Sequence, residues 1–113
     1  MSHLTSVMAL KALDGLSERA EVTSENIANA NTPGYRPLKV SFEDSLRVAA
    51  DQGMDAVNAV QPKIERDNDP AEASGVRLDL QMATASVTSA RYAALIQILS
   101  LQMQHARMAI GSN

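Results

Sequence analysis

Few residues in this 113-residue chain are of a type that does chemistry, and their spacing does not gather them. His3 and His105 lie near opposite ends of the chain. Two histidines do not hold a metal ion without further ligands, and neither has an acidic pair at helical spacing beside it. Asp67-Asn68-Asp69 has the opening of a calcium loop. Glu72 and Leu78 stand where such a loop needs a glycine and a bidentate glutamate, so the run reads as a solvated turn. There is no cysteine, which excludes disulfides, thiol catalysis and Cys-ligated zinc. Gly34 stands alone and makes no phosphate-binding glycine pattern. Met8, Met54, Met82, Met103 and Met108 are spread along the chain and read as adaptable gap-fillers rather than a thioether metal site. The chain is therefore expected not to be an enzyme. No catalytic, cofactor-binding or metal-binding residue is assigned, and no cofactor or small-molecule substrate is expected.

The polar residues that do cluster are of another kind. Asn26, Asn29 and Asn31 precede Thr32-Pro33-Gly34-Tyr35. Three asparagines so close weaken a helix, because their side chains compete for backbone hydrogen bonds. Pro33 cannot continue helical bonding and disfavours α geometry at Thr32. Gly34 supplies a backbone position open to positive φ. Two readings stand side by side: an extended helix C-cap, or a fixed corner whose amides also bond a neighbouring chain.

A corner needs elements on either side of it. Downstream, Leu78, Met82, Ala85, Ser89, Tyr92, Ile96, Leu99, Met103, Ala106 and Ile110 alternate in steps of four and three. This is a 3.5-residue repeat, the seam of helices that pack knobs-into-holes. It predicts a helix over about 80–110, with Asp79 as N-cap and Gly111 as stop, roughly 45 Å long. Val87, Ala90, Ala94, Leu95, Ile98 and Leu101 lie off that seam, so one neighbour does not cover the helix. Upstream, Leu13, Leu16, Ala20, Thr23, Ile27 and Ala30 repeat the alternation, and Leu4, Val7, Met8 and Leu10 extend the apolar face. They predict a helix over about 3–30. Gly15 costs it about 1 kcal/mol relative to Ala unless a neighbouring element needs the close approach. Between the two, Ser41-Phe42-Glu43-Asp44 reads as the capped, acidic start of a short helix ending near Ala50. Residues 51–75 are polar and read as a linker or mobile loop, with Val57, Val60 and Ile64 as a brief strand or loop contact.

The expected fold is all-α. Two long terminal helices pair as a coiled-coil-like antiparallel hairpin, with a short helix and an irregular loop between them. The divisions are 1–31, 32–78 and 79–113 within one domain. Only Tyr35, Phe42 and Tyr92 are aromatic, so a closed core in so short a chain is thin and the apolar faces call for a partner. The net charge of −3 is not the footprint of a nucleic-acid binder. Residues 78–113 carry only Asp79, Arg91 and Arg107 as charges, too few for a solvated helix. No run of 18 apolar residues crosses a membrane. The N-terminus has no basic n-region or apolar h-region. That leads one to expect a cytosolic chain, or one leaving the cell without a cleaved signal.

Ser24-Glu25-Asn26-Ile27-Ala28-Asn29-Ala30-Asn31-Thr32-Pro33-Gly34-Tyr35-Arg36 resembles the signature of the bacterial flagellar rod, hook and hook-associated axial proteins. The C-terminal heptad helix with Arg91-Tyr92 is similar to that family's C-terminal helix. The short length and Val40-Ser41-Phe42-Glu43-Asp44-Ser45-Leu46 resemble its proximal rod subunits, while Arg36, Pro37 and Lys39 depart from their pattern. The resemblance covers about residues 4–48 and 76–110. It implies a structural subunit of the basal-body rod, exported through the flagellar type III channel without a cleaved signal. It implies partners that are copies of itself, other rod proteins and inner-membrane ring or export-gate proteins. The implied corner is Asn26, Ile27, Ala28, Asn29, Asn31, Thr32, Pro33, Gly34 and Tyr35. The implied assembly seam is Leu13, Leu16, Ile27, Leu78, Met82, Tyr92, Ile96, Leu99, Met103 and Ile110. A small cytosolic coiled-coil adaptor or export chaperone is the alternative.

Overall fold

The structure is a computed structural model that describes residues 2–69 and 75–111. The first helix, α1, spans His3–Ala28. Ser2 caps it by accepting the Thr5 amide at 3.1 Å, which satisfies one of the free donors of the first turn. At its far end Asn29 is the C-cap, and its side-chain amide donates back to the Glu25 carbonyl at 2.9 Å. The helix thus stops two residues short of the expected end, and Ala30 lies in the turn beyond it. Tyr35 N donates to Thr32 O across Pro33 and Gly34, and Gly34 has φ 78°. Proline followed by a positive-φ glycine is the pattern of a type II turn.

After the turn the chain is extended. Strand β1, Leu38–Ser41, pairs antiparallel with β2, Lys63–Arg66, placing Val40 opposite Ile64. The two strands form a small sheet, so the fold is mostly helical rather than all-α. Val40 points inward while Lys39 and Ser41 point out, the period-two alternation of a half-buried strand. Between the strands lie α2, Glu43–Ala50, and α3, Met54–Asn58. Residues 51–69 are therefore built into the fold, and the linker expected there is corrected. Val57 of α3 is fully buried in the core with Leu16, Val22, Val40, Phe42, Leu46 and Ala49. Val57 ends up there because Gly53, at φ 104°, lets the chain reverse between α2 and α3. The expected cap at Ser41 is corrected too. Ser41 closes β1, and Phe42 stands at the N-cap position without a side-chain cap bond.

Gly15 sits where the Phe42 ring crosses α1, and a Cβ there would overlap the ring. The glycine lets the strand-to-helix junction lie directly on the helix. Arg19, one turn on, stacks over the other side of the packing, with its guanidinium carbon 4.9 Å from the Phe42 centroid.

The last helix, α4, runs Leu78–Gly111, longer than expected at its start. Asp79 lies inside its first turn, not at the cap, and is bonded by Arg77 at 2.8 Å. There it sets a negative charge against the positive end of the helix dipole. α4 packs along α1, but its exposure is uneven. Leu101, Met103, Met108 and Ile110 are all exposed, so the C-terminal end projects beyond the shared core.

Candidate assembly corner and helix faces

Asn26 holds the corner together. It is on α1, only 1% exposed, and its side-chain amide has four partners. Nδ2 donates to the Leu38 carbonyl at 2.8 Å and to Gln81 Oε1 at 3.0 Å. Oδ1 accepts from the Tyr35 hydroxyl at 2.8 Å and from the Leu38 amide at 3.0 Å. One primary amide offers two donors and two acceptor sites, so all are used. The side chain therefore ties α1 to the turn, to the first residue of β1 and to the first turns of α4. Burial first, then the nearby Glu25 carboxylate, push the Tyr35 hydroxyl above its usual range, with Arg66 opposing. Tyr35 thus stays a proton donor to Asn26.

The other motif residues divide by role. Asn29 caps α1 and accepts the Thr32 hydroxyl at 3.1 Å. Ile27 is half-buried and Ala28 ends the helix. Asn31, Thr32, Pro33 and Gly34 are exposed on the outside of the turn. The two readings of the asparagines separate accordingly: Asn29 is the cap, and Asn26 is the corner fastener, acting within the chain.

The helix faces are as follows. On α1, Leu13 and Leu16 are buried. On α4, the buried or half-buried positions are Gln81, Ala85, Thr88, Leu95, Leu99 and Gln102. Tyr92 stays partly covered beside Leu16, lining a groove of about 410 Å³ with Ser17, Ala20, Ala85 and Thr88. Of the expected seam, Ala85 and Leu99 are half-buried, and Tyr92 is 39% exposed. Leu78, Met82, Ile96, Met103 and Ile110 are exposed. The inward stripe is displaced by one residue on alternate steps, with the polar Gln81 turned in where it meets Asn26.

A second fastener crosses the middle of the fold. Arg19 grips Glu43 through both amino groups at 2.7 Å and donates to the Val40 carbonyl at 2.8 Å. Arg91 of α4 reaches the same carboxylate at 3.7 Å. The Arg19 hydrogen bonds hold Glu43 at about 2, against a smaller opposing effect of burial. Neither Gln81 nor the Arg19–Glu43 pair stood out in the sequence. Their partners lie 55 and 24 positions away, and no local spacing marks such contacts.

Among the described residues, no group of three or more His, Asp or Glu is placed to hold a metal ion. No described helix is long and apolar enough to cross a membrane.

Comparison with known proteins matches the same corner. The family described as "Flagella basal body rod protein" matches residues 7–36, from α1 through the turn. The flagellar basal body rod protein FlgB of Escherichia coli (strain K12) is 40% identical over 50 residues, 44% of this chain and 36% of that protein. FlgB of Aeromonas hydrophila is 49% identical over 36% of this chain and 31% of its own length. FlgB of Borreliella burgdorferi is 51% identical over 33% and 27%. The matched stretch spans about a third of the curated relatives' length. These relatives carry the name of a rod component, and the adaptor or chaperone alternative finds no support among them. The segment that folds into the corner is thus similar to flagellar basal-body rod proteins, FlgB among them.

Proposed function

We propose that this chain is a structural subunit of the flagellar basal-body rod, in its proximal part. It enters a tube through its terminal helices, transmits torque and helps enclose the export channel. The observation that carries this reading is α4. It has 34 residues, and Leu78, Met82, Ile96, Met103 and Ile110 stand exposed along it. Such a helix is unstable in water as an end state, since an apolar face of that length marks an interaction surface. α1 occupies one side, and the remaining sides suit other subunits.

Within the subunit, the reading takes α1 and α4 as an antiparallel pair. Asn26 meeting Gln81 near one end, and Leu16 lying beside Tyr92 further along, support that direction. Residues 1–31, 32–78 and 79–113 then form one axial-type domain. The corner residues Asn26 to Tyr35 fix its bend, and the exposed part of the seam supplies its contacts. Its partners are copies of itself, other rod proteins and inner-membrane ring or export-gate proteins. Its place is the periplasmic rod, reached by flagellar type III export.

The test uses outward-facing positions. Met82→Asp and Ile96→Asp place charges on exposed α4 residues, so the isolated chain should keep its helical circular dichroism and its melting behaviour. In a flagellated host relying on this chain, the same variants should be exported but fail to assemble, abolishing swimming. Normal motility in both variants rejects the rod reading. A discrete dimer by sedimentation, with no effect on motility when the gene is deleted, would favour an adaptor instead.

A further inference from the structure

The face that α4 turns toward α1 is not its most apolar one. Turning the helix by half of one residue's step, about 50°, would keep Ala85 and Leu99 inward and bring Met82, Ser89, Ile96 and Met103 in place of the residues now beside them. Those positions hold three large apolar side chains and one serine. The structure instead turns in Gln81, Thr88, Leu95 and Gln102, three polar residues and one leucine. Gln81 is 6% exposed and Thr88 is 2% exposed, while Met82 is 57%, Ile96 42% and Met103 56% exposed. Hydrophobic burial alone would choose the other face.

Charge does not decide the rotation. Among the described residues of α4, only Asp79, Arg91 and Arg107 are charged. Asp79 is bound by the adjacent Arg77, and Arg91 reaches Glu43 only at 3.7 Å. What distinguishes the inward face is the Asn26–Gln81 hydrogen bond at 3.0 Å, made at a buried site where Asn26 is otherwise saturated. A buried polar pair in a helix seam costs stability and fixes register, since every other alignment leaves it unpaired.

We infer that Gln81 is a positioning residue: through its bond to Asn26 it selects which face of α4 meets α1, and so which apolar face is left for other molecules. The corner motif and the outward face are coupled through this contact. The inference concerns the isolated chain and does not rest on the rod reading.

The absence of cysteine makes the test clean. Single replacements Thr88→Cys and Ser89→Cys report the two competing faces, read by the rate of thiol labelling with a soluble maleimide. In the parent background, the thiol at position 89 should label fast and that at 88 slowly. Adding Gln81→Ala removes the acceptor without adding apolar bulk. The 89-to-88 rate ratio should then fall by roughly fivefold or more, the population change expected when a single buried hydrogen bond is lost. Circular dichroism should show α4 helical throughout. An unchanged ratio in Gln81→Ala overturns the inference. So does equal labelling at both positions in the parent, or loss of helix in Gln81→Ala, which would make Gln81 a support rather than a selector.

Discussion

Two glycines show how one residue type does two jobs here. Gly34 is required by backbone geometry: its φ is 78°, and open space surrounds the position of a Cβ. Gly34→Ala should cost about 1–2 kcal/mol, the penalty of left-handed geometry for an L-residue. Gly15 has ordinary helical geometry but lies under the Phe42 ring. In an exposed helix, Gly→Ala gains about 1 kcal/mol. At position 15 the sign should reverse, with a loss of about 1–3 kcal/mol from overpacking. Urea midpoints of the two variants check both values, and a stabilised Gly15→Ala would mean that Phe42 does not rest on the helix. The sequence showed Gly15 only as a local cost with a possible reason. The reason, an aromatic ring 27 positions on, is tertiary. The same holds for Asn26. Its membership of a dense motif was legible, but its four partners were not.

At the scale of elements, the long helices were legible because repeated threes and fours over many residues outweigh any single misfit. Pro33 and Gly34 ended the first one clearly. α3 was missed, and β2 was read only as a brief strand or loop contact that includes Ile64, because five and four residues are too short for a period to register; Val57 takes its burial from the core around it. Which stripe of α4 meets α1 was not legible, because apolar residues surround that helix and no single seam stands out. The junction of α1, α2 and α4 carries a pH dependence. Glu43 is held at about 2, below the usual 4.5, chiefly by its hydrogen bonds from Arg19. A carboxylate lowered in the folded state contributes fully above about 4.5, and that contribution is lost as pH falls toward 2. The carboxylate is 47% exposed, so solvent screening limits the effect to about 1 kcal/mol or less. Urea unfolding of the parent chain should weaken between pH 4.5 and 2. Glu43→Gln should remove that part of the slope; an identical slope in the variant would assign the acid sensitivity to other carboxylates.

The whole molecule is elongated, 63 × 27 × 15 Å, with a radius of gyration of 17.3 Å. A compact chain of this length would have a radius near 13 Å, by the usual size scaling. Its accessible surface of 7414 Å² also exceeds the roughly 6,000 Å² expected of a folded monomer of this mass. Both departures have the same origin. The core lies around Leu16, Phe42 and Val57, and the C-terminal end of α4 runs past it. Order along α4 should therefore be graded rather than uniform. The buried and half-buried positions of α4 run from Gln81 to Gln102, whereas Met103, Met108 and Ile110 have mostly solvent around them. An isolated helix end without packing frays, because most helical stability in proteins comes from a buried face. Amide hydrogen exchange of the monomer should find protection over about 81–102 and near-free exchange beyond it. In an assembled tube the distal amides should slow by orders of magnitude, as local opening becomes coupled to loss of subunit contacts. Uniform slow exchange along all of α4 in the dilute monomer would instead mean that the helix is self-sufficient. The exposed apolar face would then lose its standing as a surface completed only by neighbours.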